Sequence, residues 1–241
     1  MLLIIASQYD QAACMLAERW KDQDARIKTC RDLSTAGWRF YADRPHASTI
    51  AVGNQAADSS QIDGVLIRLP WITEQELSHI RYADRLYAAA EMGAFLVAWL
   101  SNTAFPVINR PTPSCLMGPS WGREQWIHNA ARVGMRVRET GSANMPEGPS
   151  ETKVAVPCAT AAVIGEQCIG LVAPSLREQA RRLAEVARVD LLTVRFSGPG
   201  EDAEFIEAFL SVDVSQPELA DSVLDCFRTT ASRAPSIVRY K

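Results

Sequence analysis

A chain of 241 residues, 47% hydrophobic and 22% charged, holds enough apolar material for one large core or two modest ones. Its 25 Lys and Arg stand against 28 Asp and Glu, a formal charge of −3, and no long basic run exists to neutralise a phosphate backbone, so nucleic acid is not an expected partner. The opening MLLIIASQYD is too short for a signal-peptide core or a bilayer span, which predicts a soluble, cytoplasmic protein with no membrane partner.

Leu2 to Ala6 is a continuous apolar run of the kind found in a strand covered on both faces. Ala12, Ala13, Leu16 and Trp20 follow at helical spacing, and Ala25 to Cys30 reads as a second strand, so the chain opens as a βαβ unit. Thr49 to Val52 and Gly64 to Leu69 are two further strands of a buried sheet. Arg68 falls near the carboxyl end of its strand, where open α/β sheets place their ligand crevices; it is placed either to face an anion or to end the strand as a surface arginine. Thr73 and Glu76 have the spacing of a capping box ahead of a helical region, whose stripe Leu86, Ala89 or Ala90, Gly93, Leu96 or Val97, and Leu100 predicts a buried face. Pro106 to Asn109 is then a short strand. Asn109 and Arg110 after it could orient a small anion, and Asn is equally suited to turning the chain.

The six cysteines, at 14, 30, 115, 158, 168 and 226, form no C-x-x-C pair and no Cys/His set at zinc spacing, and are read as reduced, mostly buried thiols. A turn at Gly165–Glu166 between Ala159 to Ile164 and Gln167 to Val172 puts Cys168 opposite Val163, away from Cys158. Ser175 with Glu178 has the spacing to cap a helix with Leu176, Ala180, Leu183 and Ala187 on one face. Asp190 to Phe196 and Ala203 to Leu210 are two more strands, and Ser215 with Glu218 has the spacing to cap a last helix bearing Leu219, Val223 and Phe227. Strict alternation along AEFIEAFL puts Phe205, Glu207 and Phe209 on one face.

PVINRP, the loop after it, and the helix ending AARVG before MRV resemble the series found in the ATP-grasp superfamily, especially the ribosomal-protein-modifying and peptide-cyclising ligases that join a carboxylate to an amine. The resemblance implies an α/β fold with a Rossmann-like domain at residues 1–110 and a reduced ATP-grasp-like α+β lobe at 111–241. It implies a magnesium-binding role for Glu207. It also shows departures. The position two residues later is Phe209, and an acidic ligand expected on the preceding strand falls on or near Arg195. The first phosphate-binding lysine falls near Gly122, and between Thr140 and Lys153 only GSANMPEGPSET stands where a longer nucleotide-covering loop belongs. Lys153 is read either as able to approach a phosphate or as opening a strand as a solvated end.

Gly118-Pro119-Ser120-Trp121-Gly122 matches the G-x-S-x-G of serine hydrolases, but two prolines precede it where that motif needs a strand, and His46, His79 and His128 lie too early for the triad order. Ser120 is read as part of the loop or cap of the next helix, and His128 as a partly buried structural histidine. The expectation is a catalytically impaired ATP-grasp-like protein, needing no cofactor, that binds a protein or peptide beside a peptide- or natural-product-modifying enzyme and could form homo-oligomers. The alternatives are an active, Mg-ATP-dependent carboxylate–amine ligase and, more remotely, a hydrolase using Ser120.

Overall fold

The computed structural model describes residues 1–41, 43–44, 48–52, 55–137 and 158–233. The architecture is α/β, with a four-stranded parallel sheet, a five-stranded mixed sheet and a two-stranded antiparallel one among the described residues, and the chain forms two compact units. The first unit runs Met1–Ser120 and resumes at Asp213; the second is Trp121–Val212. The final helix therefore groups with the first unit, whereas a cut by sequence order at residue 110 would assign it to the second lobe.

In the first unit, β1 (Leu2–Ile5), β2 (Ala25–Lys28), β5 (Gly64–Ile67) and β6 (Val107–Ile108) make a parallel sheet in the order β2-β1-β5-β6. β1 and β5 are buried at every position, as their unbroken apolar runs require of strands covered on both faces. Helix α1 (Gln11–Arg19) starts at Asp10, whose carboxylate accepts from the Ala13 amide at 2.9 Å. Thr29 and Asp32 form a reciprocal capping box for the one-turn helix α2 (Cys30–Leu33). β3 (Thr49–Val52) is the strand expected there, but it pairs with β4 (Gln55–Asp58) in a separate antiparallel sheet.

The capping box read at Thr73 and Glu76 does not form. Thr73 opens only a 3-10 turn without a side-chain cap, the Glu76 amide donating to the Thr73 carbonyl at 3.1 Å, while the Glu76 carboxylate accepts from the Ser7 hydroxyl at 2.6 Å. The long helix α3 begins later, at Arg85, and runs to Ser101. Its buried side is Ala89, Leu96, Trp99 and Leu100, while Leu86, expected inside, is 70% exposed. Helix α6 (Pro217–Arg233) closes the unit, with the Phe227 ring edge-on to Trp20 at 6.3 Å between centroids.

The second unit has a mixed sheet in the order β7 (Arg136–Val137), β11 (Glu204–Phe209), β10 (Leu191–Phe196), β8 (Ala159–Ile164) and β9 (Gln167–Ile169). The β8–β9 hairpin turns at Gly165–Glu166 with Cys168 opposite Val163, as expected, and Gly165 at φ 57 is the positive-φ residue that a II′ turn puts first. Helices α4 (Arg123–Arg132) and α5 (Pro174–Ala187) supply Trp126, Leu176, Ala180 and Leu183 to the core on one sheet face. Ser175 does not cap α5: the helix starts at Pro174, whose missing N–H suits the first helical position, and Glu178 pairs with Arg181 and Arg182.

Candidate functional site

Two places carry the residues that the sequence singles out, one in each unit. In the first unit, β1 leads to β2 on one side while β5 lies on the other, so the strand order switches between β1 and β5. Ligand crevices of open α/β sheets form at the carboxyl ends of such strands. Arg68 stands there, one residue past β5, and its guanidinium grips Asp10 with Nε to Oδ2 at 2.8 Å and Nη2 to Oδ1 at 3.3 Å. Only 15% and 16% of these two side chains is exposed. Hydrogen bonds from Ser215 and Gln216 hold the Asp213 carboxyl below the usual carboxylate range, and the Arg68 charge adds to the effect. Arg68 thus already answers carboxylates of its own chain, and an incoming anion would have to displace Asp10.

Asn109 and Arg110 lie at the same sheet edge, past the end of β6. Asn109 is buried with φ at 48, a left-handed conformation that Asn tolerates better than most side chains, and so turns the chain out of the strand. Arg110 donates from Nη1 to the Leu100 carbonyl at 3.0 Å, satisfying the carboxyl end of α3. Sequence reasoning missed Asp10, although an Asp between an apolar strand and an apolar-periodic helix is a recognisable start signal.

In the second unit, Thr160, Arg195 and Glu207 stand in one row across β8, β10 and β11. Arg195 Nη1 bonds Glu207 Oε1, with 38% and 39% of the two side chains exposed. The expected alternation along β11 is broken by a β-bulge. Phe196 pairs with Phe205 and Arg195 with Glu207, leaving Ile206 as the extra residue. Phe205 consequently joins the core with Phe196, while Glu207 and Phe209 pair with Arg195 and Thr193, whose neighbours Leu192, Val194 and Phe196 point to that core.

A magnesium ion needs several oxygen ligands in octahedral array. Glu207 offers one carboxylate, already bonded to a cation and followed on the same face by Phe209. Among the described residues no group of three or more His, Cys, Asp or Glu is gathered to hold a metal. These residues do not fit the ion. Lys153 and His46 lie outside the described residues.

Ser120 is exposed in a loop, with no strand among the residues leading to it from Asn109. The α4 start is instead Gly122, whose amide donates to Gln125 Oε1 at 2.9 Å. His128, read as partly buried, is exposed on α4.

No family model and no curated protein sequence matches the chain. Its fold does match solved structures. A Chryseobacterium gregarium RiPP-associated ATP-grasp ligase, in complex with ADP and a leader and core peptide, superposes with a TM-score of 0.68 at 12% identity, covering 95% of this chain and 96% of that one. The macrocyclase MdnC from Microcystis aeruginosa MRC, bound with precursor peptide MdnA, gives 0.67 at 11% identity over 97% and 98%. The ATP-grasp ligase PsnB, complexed with a phosphomimetic variant of its minimal precursor, Mg and ADP, gives 0.66 at 10% identity over 93% and 98%. At these identities the likeness is one of fold: the chain shares the fold of these three solved proteins.

Proposed function

We propose that this ATP-grasp-fold chain is impaired as a ligase and works as a binding or accessory subunit beside a peptide- or natural-product-modifying enzyme. The observation that carries this reading is the Arg195–Glu207 pair: the carboxylate that resemblance assigns to the metal faces a guanidinium in register. A peptide partner is the reading's second half, supported by the precursor peptides in the three similar structures. The parallel sheet of the first unit is read as its Rossmann-like part. A cytoplasmic site of action belongs to the same reading, because Cys14, Cys30, Cys115, Cys158 and Cys168 carry free thiols, as a reducing compartment leaves them. Among the described residues no helix is long and apolar enough to cross a membrane.

The rival reading, an active carboxylate–amine ligase, is favoured by the near-complete coverage of those structures. Titration calorimetry with Mg·ATP, together with phosphate release in the presence of a carboxylate and an amine, separates the two. The impaired subunit shows neither micromolar binding nor release. Release that Glu207→Ala abolishes would establish the ligase instead. In that case Lys153, Arg68, Asn109 and Arg110 become the residues to test for nucleotide and substrate binding.

A further inference from the structure

Between the 3-10 turn at Glu74–Leu77 and the start of α3 lies an open pocket of about 530 Å³, formed within the first unit by residues 72–75, 82, 85, 86 and 89. It has the size of a small-molecule site. Neither the Arg68–Asp10 pair nor the Arg195–Glu207 row contributes to it.

Arg85 lines this pocket and, unlike Arg68, is held by neutral groups. Its Nε donates to the Ile80 carbonyl at 2.9 Å and its Nη2 to the Ser78 carbonyl at 3.0 Å, while the Tyr82 ring centre lies 5.7 Å from Cζ. The neighbouring Asp84 carboxylate is turned to Arg81, at 3.9 Å. The guanidinium is therefore fixed in place with its charge unmatched, and its Nη1 has no partner among the described residues. An arginine fixed in this way is a preorganised receptor for a carboxylate, because little side-chain freedom remains to be lost when the ligand's oxygens arrive.

Glu74 lines the same pocket, half-buried, with no hydrogen bond or ion pair of its own among the described residues. Glu76, two residues on, shows the contrast: its carboxylate is turned to the Ser7 hydroxyl. The Thr73 hydroxyl beside Glu74 caps no backbone amide and can accept from an ammonium. A cation and an anion thus share one cavity without neutralising each other, and Ile72, Leu86 and Ala89 make an apolar part of its wall.

We propose that this pocket binds a zwitterionic α-amino acid with an apolar side chain. The ligand's carboxylate meets Arg85, its ammonium meets Glu74 and the Thr73 hydroxyl, and its side chain lies against Ile72, Leu86 and Ala89. A simple anion satisfies only Arg85, and a simple amine only Glu74. A molecule with both charges on one apolar body answers all of these groups at once. The inference does not depend on whether the chain binds nucleotide or has ligase activity.

Titration of the full chain with L-leucine, followed by backbone amide chemical shifts, tests it. Millimolar leucine shifts the amides of residues 72–75 and 82–89. Isocaproate, which keeps leucine's carboxylate and lacks its amine, and isoamylamine, which does the reverse, each bind about tenfold or more weakly, as loss of a charge-assisted hydrogen bond requires. Glu74→Gln preserves the shape of the side chain at a half-buried turn position, so it keeps the wild-type melting temperature while it lowers leucine to the affinity of isocaproate. Arg85→Gln lowers leucine to the affinity of isoamylamine. Millimolar leucine that shifts none of these amides overturns the inference. So does leucine bound no tighter than either analogue, or a Glu74→Gln variant that binds leucine as the wild type does.

Discussion

Arg195 and Glu207 face each other on neighbouring antiparallel strands, joined guanidinium to carboxylate, with the Ile206 bulge setting which face they share. The bulge makes the pairing specific. Without it, Glu207 would follow Phe205 toward the core. Replacing the cation by an acid tests whether this face can hold a metal at all. In Arg195→Asp two carboxylates stand directly opposite, which destabilises by about 0.2–1 kcal/mol in a metal-free buffer. Magnesium then raises the melting temperature of the variant and leaves that of the wild type unchanged. A variant indifferent to magnesium means that this sheet face is no cation site in either form.

The helix α6 is fixed to the first unit by contact with Gly64 and Trp20. A Cβ at Gly64 would meet the Phe227 ring at 2.5 and 2.7 Å. Gly64→Ala therefore destabilises by about 1–3 kcal/mol through overpacking, and Phe227→Ala by about 3–5 kcal/mol through the cavity it leaves. In urea denaturation the double variant loses less than the sum, because the new methyl occupies space the ring vacated. Strict additivity would show that the two positions do not touch.

Lys28 ends β2 with its side chain buried. Burial pushes its ammonium below the ordinary lysine range, an effect that the Asp32 charge partly offsets. The sign follows from proton counting. Between the lowered folded value and the ordinary unfolded one, the unfolded chain holds more protons, so stability rises with pH across that window. The penalty is fully present below the folded value. Lys28→Met is expected to raise the melting temperature by a few degrees at neutral pH, with the gain shrinking as pH passes through the lysine range. An equal gain at every pH would trace it to packing alone.

The thiols divide by environment. Burial pushes Cys30 up to about 12 and Cys168 up to about 11, whereas Cys14 and Cys158 are exposed. At mildly alkaline pH, iodoacetamide labels Cys14 and Cys158 first, while Cys30, Cys115, Cys168 and Cys226 react slowly, as thiolate fraction and access dictate. Peptide mass spectrometry over a time course checks the order, and early labelling at Cys30 would contradict its placement.

Local pattern was enough for the strands Leu2–Ile5 and Gly64–Ile67, whose apolar runs leave no exposed face, and for the Gly165–Glu166 turn, where glycine supplies the required φ. It was not enough for the capping boxes. Glu76 has the right spacing from Thr73, but its carboxylate is taken by Ser7, 69 residues earlier in the chain. The same kind of distant partner hides Arg68, which meets Asp10 across 58 residues, and Glu207, whose face is decided by pairing with another strand. The site residues that resemblance supplied were found one at a time; which charges they meet is a property of the folded chain.

The discontinuity of the first unit has a consequence during synthesis. The second unit is one uninterrupted segment, Trp121–Val212, and all of it emerges from the ribosome before α6 does. Until α6 arrives, Gly64 and Trp20 lack the ring of Phe227 that packs against them. The first unit is completed only after the second has been made, and until α6 emerges the nascent chain carries an uncovered apolar seam that a chaperone can grip.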